Sequence, residues 1–370
     1  MATLTSLGGS SATVLVVNPG SSSLKLRLLS RKDEVTASHD VEHWNGSAEV
    51  DELGEMLAGA DAVGVRVVHG GADFFEPCVV DDRVLERLEA LTPLAPLHQP
   101  RAVAAVRAVR AGSVDVPVVA CFDTAFHASL PREAATYAVP REWNARWGLR
   151  RYGFHGLSHQ YAARRVAEWV DPSARIVVCH LGAGASLCAV RDGRSIDTTM
   201  GFTPLEGLVM ATRSGTVDPG LVLWLLTEAG MEAERLAYML ERHSGLSGLS
   251  GTTGDLREVL EGVGAGDEAA SLAFDVYLHR LRREIGGMVA SLGGLDVLVY
   301  TGGVGERASV VRAEVAEGLG YLGVAVDEAR NASTTWDGEI TARGAAVRTL
   351  VLTSREDVEI ATQVRDLLGG

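Results

Sequence analysis

The sequence is poor in cysteine, short of basic residues and without a long apolar run. Its four cysteines, Cys78, Cys121, Cys179 and Cys188, form no CxxC pair and show no metal-ligand spacing. That excludes a disulfide scaffold or a cysteine-based zinc site. Three of them lie in or beside apolar runs, where a buried, unreactive thiol is the simple reading. No apolar stretch approaches the roughly 20 residues needed to span a bilayer. Residues 1–12 (MATLTSLGGSSA) lack the basic and apolar regions of a secretory leader, so the expected location is the cytoplasm, away from the membrane. Lys and Arg number 34 against 48 Asp and Glu, a formal charge of −14. A nucleic-acid backbone would be repelled by that charge and is not an expected partner. No GxxxxGK[ST] motif occurs, which disfavours a Walker-type ATPase.

What is present is globular. Hydrophobic residues make up 46% and charged residues 22% of 370 positions, enough chain for two domains. Residues 13–18 (TVLVVN) form a short β-branched run stopped by Pro19 and Gly20, a buried strand. A polar turn follows, and residues 24–29 (LKLRLL) alternate as a second strand. Residues 62–68 and 114–122 are further strands, and residues 81–91 have helical spacing with an acidic first turn. This order predicts an α/β layered domain. Residues 176–185 (IVVCHLGAGA) then repeat the logic of residues 14–23 (VLVVNPGSSS): an apolar strand, one polar residue, a glycine two positions on, then a return strand. A third strand-to-glycine unit lies at residues 295–306 (LDVLVYTGGVGE). The repetition points to a duplicated nucleotide-binding fold. Residues 219–230, 269–292 and 356–368 read as helices, and the glycine-rich residues 244–254 (SGLSGLSGTTG) as a functional loop.

Glycine and serine turns after strands expose consecutive N–H and hydroxyl groups that can cradle phosphate. The turn at Gly20–Ser23 has Lys25 beside it, and a plain hairpin turn is the alternative reading. Arg66 is embedded in an apolar strand, where an unpaired guanidinium is costly, so it serves either a structural salt bridge or a site. Arg213, among small residues, has the same planar fork that suits the oxygens of a phosphoryl group in transfer. Asp123 closes a buried strand, the position at which α/β folds place functional groups. His155 is flanked by glycines, and His69, His98, His127, His159 and His180 also fall in or beside expected loops. Glu356 opens the last helix, where helix-start electrostatics would account for it as well.

At these residues the chain resembles the acetate kinase family. The segments are Asn18-Pro-Gly-Ser-Ser-Ser-Leu-Lys25, Arg66-Val-Val-His-Gly-Gly71, Phe122-Asp-Thr-Ala-Phe-His127, Arg151-Tyr-Gly-Phe-His-Gly156, Met200-Gly-Phe-Thr-Pro-Leu-Glu-Gly-Leu-Val-Met210, Thr212-Arg-Ser-Gly215 and Thr301-Gly-Gly-Val-Gly-Glu306. They follow the family's order and cover nearly the whole chain.

The resemblance implies a duplicated actin/hexokinase-like (ribonuclease H-like) α/β fold with an interdomain cleft and, usually, a homodimer. The domains would be residues 1–126 plus 357–370, and residues 127–356. Acetate or acetyl phosphate and ATP or ADP would be the substrates, with Mg²⁺ or Mn²⁺ held through Asn18 and Glu356. Arg66, Arg213 and His155 would stabilise the phosphoryl group, His98 would support them, and Asp123 would position substrate or metal. Val68, Leu97, Phe154 and Pro204 would enclose the acetate methyl. Ser21, Ser23, Lys25, His180, Gly182, Ala183 and Gly184 would face the phosphates; Asp255, Leu256, Arg257, Gly302, Gly303, Val304 and Gly305 would hold the adenosine. Residues 219–226 and the helix after Ala269 are candidate dimer surfaces. The chain departs from the family's pattern at Ala183, Gln99 and Arg307, each where the family has Asn, and at Thr216 for Asp, Arg355 for Asn and Pro19 for Ala. These departures bear on the phosphoryl donor, and propionate or butyrate remains an alternative acid. A non-catalytic nucleotide-binding relative would be expected to lose Arg66, Asp123, Arg213 or Glu356, and all four are present.

Overall fold

The computed structural model describes residues 12–20, 23–42, 44, 51–96, 98–112, 115–334 and 336–369. The chain forms two compact units: Met1–Ala128 with Phe154–Tyr161 and Arg355–Gly370, and Ser129–Gly153 with Ala162–Ser354.

The first unit carries strands β1 (Val14–Pro19), β2 (Ser23–Leu29), β3 (Val35–Glu42), β4 (Ala62–Val67), β5 (Cys78–Val79) and β6 (Val118–Phe122), in sheet order β3-β2-β1-β4-β6-β5. The second carries β7 (Ile176–Leu181), β8 (Ala185–Arg191), β9 (Arg194–Thr198), β10 (Val297–Thr301), β11 (Gly338–Glu339) and β12 (Arg348–Val351). Read from its β9 edge, this sheet runs β9-β8-β7-β10-β12-β11, the same topology in the same chain order. In each sheet an antiparallel three-strand meander is extended by two parallel strands and a short antiparallel edge. The duplication inferred from the strand-then-glycine units is therefore a property of whole sheets.

The unbroken apolar runs of the central strands follow from burial on both faces. Leu15 and Val17 of β1 join Val63, Val65, Val103 and Val106 in one core, under the helix Gln99–Gly112. Val14 and Val16 point the other way, into a core with Ala62, Val119, Ile360 and Val364, the last two from the terminal helix Glu356–Gly369. That helix is tied down by buried Arg365, which donates to Ala12 O at 3.0 Å, Ser30 O at 2.9 Å and Asp33 Oδ1 at 2.6 Å. The edge strand β3 instead has no fully buried residue.

Helix boundaries follow local chemistry. Asp81 caps the helix Asp82–Ala90 by accepting from Val84 N at 2.7 Å, and Asp267 caps the 25-residue helix Glu268–Leu292 in the same way. Two expectations need correction. The glycine-rich residues 244–254 are not all loop, because Gly245–Ser250 is a helix, with Leu246 buried and Gly251 in the left-handed region at its end. Likewise Gly302–Arg307 is a short helix following β10 directly. Strand β6 begins at Val118; Val114, placed in that strand by its composition, lies outside the described residues. Cys121, Cys179 and Cys188 are buried and Cys78 is half-buried. Burial pushes the Cys188 thiol up to about 12 and the Cys78 thiol up to about 11, so neither is poised to react. Among the described residues no helix is long and apolar enough to cross a membrane.

Gly64 in β4 is where the sheet meets the terminal helix most closely: a Cβ there would fall 2.4 Å from Ile360 Cγ2 and 2.8 Å from Val364 Cγ2. Gly64→Ala is expected to cost about 1–3 kcal/mol through overpacking, read as a lowered urea midpoint; an unchanged midpoint would contradict this account of the packing.

Candidate functional site

In the first unit, three parallel strands deliver polar residues to one end of the sheet. Asn18 lies near the end of β1, Arg66 near the end of β4, and Asp123 directly after β6. This is the carboxyl edge at which open α/β sheets bind ligands. The terminal helix adds Glu356 at its first turn. Arg66 Nε donates to both Asp123 oxygens at 3.1 Å, and its Nη2 donates to Oδ2 at 2.6 Å. Arg66 Nη1 donates to Asn18 Oδ1 at 3.1 Å and lies 3.7 Å from Glu356 Oε2. Asn18 Nδ2 in turn donates to Glu356 Oε2 at 3.1 Å. Asp123 is only 1% exposed. Burial works against the Arg66 charge, but the Asp123 and Glu356 carboxylates outweigh it and raise its pKa. Burial lifts the Asp123 carboxyl above its ordinary value, against the pull of Arg66.

The cluster joins one guanidinium to two carboxylates and an amide, a set of oxygen donors. Among the described residues no group of three or more His, Cys, Asp or Glu could hold a metal ion alone. Magnesium characteristically takes one or two protein carboxylates and completes its shell with water and substrate phosphate. Glu356 supplies one such carboxylate, and Asn18 Oδ1, which here accepts from Arg66 Nη1, is the amide oxygen beside it.

Around the cluster, His155 is half-buried and holds a positive φ of 56°, strain that backbone tolerates where surroundings over-determine it. The next residue supplies the restraint. Gly156 N donates to Asp123 O at 2.9 Å, and a Cβ on Gly156 would lie 2.2 Å from that oxygen, so only glycine fits. Phe154 and Val68 are buried, and the Phe154 ring meets His69 edge-on at 5.4 Å. His98 is half-buried just before the helix Gln99–Gly112. Lys25 is exposed on β2 directly opposite Asn18, which places both side chains on one face. Ser23 begins β2, and its carbonyl accepts from Gly20 N at 2.7 Å. Ser21 and Leu97 lie outside the described residues.

The second unit uses the equivalent strand ends differently. Past β7 comes a glycine turn and past β10 the short glycine-rich helix Gly302–Arg307, and here a cavity of about 590 Å³ opens. Gly182, Ala183, Asp255, Leu256, Arg257, Gly303 and Val304 all line it; His180, Gly184, Gly302 and Gly305 do not. Sequence reasoning missed Leu246, Leu260, Tyr277 and Val310, which make its walls apolar, and Arg307 as a wall residue. Only their helical spacing could have marked them, and that signals a core equally well. Elsewhere in this unit, Arg213 donates to Pro204 O at 3.2 Å and touches Met210 Sδ at 3.7 Å. It makes no ion pair among the described residues, and burial lowers its pKa.

Two further groups have bracing roles that the sequence reading did not assign. Glu206 accepts from Tyr137 Oη at 2.7 Å and from Arg151 Nη2 at 2.6 Å, while Arg151 also donates to Thr199 O and Met200 O. This network holds the segment that presents Pro204. Gln99 is buried and donates to His69 O and Leu88 O, bracing the turn after β4. Arg151 and Glu206 both fall within the quoted motif segments, a signal that could have found them.

The Acetokinase family model matches residues 43–362. That decides the matter. The chain belongs to the acetokinase family, whose members are kinases. It is 48% identical to an acetate kinase of Trichormus variabilis over 316 residues, covering 85% of this chain and 78% of that protein. With an acetate kinase of Microcystis aeruginosa it is 43% identical over 357 residues, 94% of this chain and 89% of the other. Among solved structures, Porphyromonas gingivalis acetate kinase superposes with a TM-score of 0.88 at 33% identity, covering 96% of this chain and 100% of that one. A propionate kinase from Francisella tularensis superposes at 0.87 and 34% identity, covering 95% and 98%. The acetokinase fold is thus shared along nearly the whole chain.

His69 makes a pH prediction. Its Nδ1 accepts from Gly71 N at 2.8 Å, and burial pushes its pKa down to about 4. An unfolded histidine titrates near 6.5, so between those values the unfolded chain binds the extra proton. Stability should be fully present above about pH 6.5 and fall towards pH 4, by up to about 3 kcal/mol. His69→Asn, whose amide oxygen can accept from Gly71 N, should lack that component. Urea midpoints for the two proteins should converge as pH drops; a constant difference from pH 7 to 4.5 would refute the assignment.

Proposed function

We propose that the chain is an acetate kinase, transferring the terminal phosphoryl of ATP to acetate to give acetyl phosphate and ADP, reversibly and by direct in-line displacement. The observation that carries this reading is the Asn18–Arg66–Asp123–Glu356 cluster. The second unit's cavity and Arg213, which makes no ion pair among the described residues, support it. A carboxylate oxygen is already a nucleophile, so no general base is required. The work is positioning and neutralisation of charge on the transferred group. Arg66, Arg213 and His155 supply positive charge and hydrogen-bond donors to that group, with His98 in support. Asp123 fixes the Arg66 fork and helps position substrate or metal. Val68, Phe154 and Pro204 present apolar surface to the acid's methyl, with Leu97 in the same role. Mg²⁺ or Mn²⁺ held by Asn18 and Glu356 would offset phosphate charge. Ser21, Ser23, Lys25, His180 and Gly182–Gly184 serve the phosphates, and residues 255–257 and 302–305 the adenosine. The cytoplasm is the location this chemistry suits.

The test is an acyl-hydroxamate assay with ATP, magnesium and acetate. Arg213→Ala should lower kcat about 100- to 1000-fold, the usual loss when one transition-state donor is removed. Propionate should be turned over less efficiently, since one methylene is worth about 1–3 kcal/mol in such a pocket. No signal with acetate, propionate or butyrate would overturn the reading.

We also propose a homodimer formed through the helix Pro219–Thr227. Its sequence PGLVLWLLT is apolar all round, yet it buries no residue. Leu221, Leu223 and Trp224 are 47%, 61% and 55% exposed, and Leu272 on the long helix is 57% exposed. A helix apolar on all sides belongs in an interior, and a second copy across a two-fold axis would cover it. Light scattering should find a dimer, and Leu223→Asp with Trp224→Glu should give a monomer. A monomeric unmodified protein would exclude the dimer.

A further inference from the structure

The cavity of the second unit contains two arginines, and they differ in what they are doing. Arg257 is paired, through an exposed contact with Asp255 at 2.5 Å. Arg307 is not. Among the described residues it makes no ion pair and no side-chain hydrogen bond, although it lines the same cavity. Its carboxylate neighbour in sequence, Glu306, is occupied in accepting from Ser354 N at 2.9 Å.

The position of the Arg307 guanidinium follows from helix geometry. Residues four apart share a face, and side chains lean towards the helix N-terminus, so Arg307 reaches back over Gly303. A Cβ on Gly303 would lie 2.7 Å from Arg307 Nη2. Because position 303 is glycine, the guanidinium can lie against the backbone there. Gly303 is also where this helix meets the glycine turn after β7: a Cβ on Gly182 would lie 4.0 Å from Gly303 N. This end of the cavity therefore offers backbone and a cation, whereas Leu246, Leu256 and Leu260 supply apolar wall. Ala183, on the same wall, brings no side-chain donor.

We propose that Arg307 is a phosphate-binding specificity residue, pairing with the phosphates of the bound nucleotide. An uncommitted guanidinium beside exposed backbone suits planar, charge-assisted pairing with phosphate oxygens. In a chain with a formal charge of −14, a local cation at this spot also offsets the general repulsion of an anionic ligand. This assignment rests on the nucleotide reading of the cavity.

Calorimetric titration with ADP and with adenosine tests it without reference to catalysis. Arg307→Ala should weaken ADP about tenfold and leave adenosine within about twofold. Arg307→Lys should fall between, since an ammonium keeps the charge and loses the fork. The ADP difference between the unmodified protein and the alanine variant should also shrink as salt is raised. Equal losses for ADP and adenosine would make Arg307 a stacking or structural residue and overturn the proposal. Undiminished ADP binding by Arg307→Ala would overturn it alone, whereas failure of the unmodified protein to bind ADP would remove the nucleotide reading as well.

Discussion

A guanidinium held inside an apolar sheet governs the first unit. Arg66 emerges from a strand whose neighbours are Val63, Val65 and Val67, all fully buried. Stranded there it would be costly, and breaking such a pair by removing one partner typically costs about 3–5 kcal/mol. Asp123 meets it with both oxygens, and Asn18 links it to Glu356. The pairing constrains more than electrostatics. It requires β1, β4 and β6 to be parallel neighbours ending at one level, and it requires the last helix to return to the first unit. The two-faced core, with Ile360 and Val364 packed beneath Gly64, makes that return possible.

The second unit shows what the same topology does without that charge. Its strands β7, β10 and β12 stand where β1, β4 and β6 stand in the first sheet. Past the ends of β7 and β10 lie Gly182, Ala183 and Gly303, which line the cavity. One architecture thus supports two chemistries, because strand ends are set by the sheet while the residues placed there are not. A cluster rich in charge suits the reacting end of a substrate; a cavity of glycine and leucine suits a flat, partly apolar one.

Much of this was legible beforehand, in an uneven way. The central strands announced themselves as unbroken β-branched runs, and the duplication through its repeated strand-polar-glycine pattern. Arg66 and Asp123 stood out as charges among valines. Leu246, Leu260 and Tyr277 did not, because an apolar residue at helical spacing looks alike whether it faces a core or a cavity. Residues 244–254 misled for a related reason: glycine and serine signal a turn locally, yet buried Leu246 and the left-handed Gly251 accommodate a short helix. The motifs marked Glu206 but not its bracing role, and nothing local marked that of Gln99, since their partners lie far along the chain.

By itself, then, the sequence determined which segments are buried strands, that the unit is doubled, and which charged residues needed partners. Those are consequences of local pattern and of the cost of burying charge. Only the tertiary structure decided who the partners are. Arg66 finds Asp123 across 57 positions and Asn18 across 48, and Asn18 finds Glu356 across 338. It also decided that Arg307 lines the cavity beside Gly303, whereas Arg257 pairs locally with Asp255, two positions away. Composition cannot place Arg307 at that cavity, because which side chains meet across separate elements is set by packing.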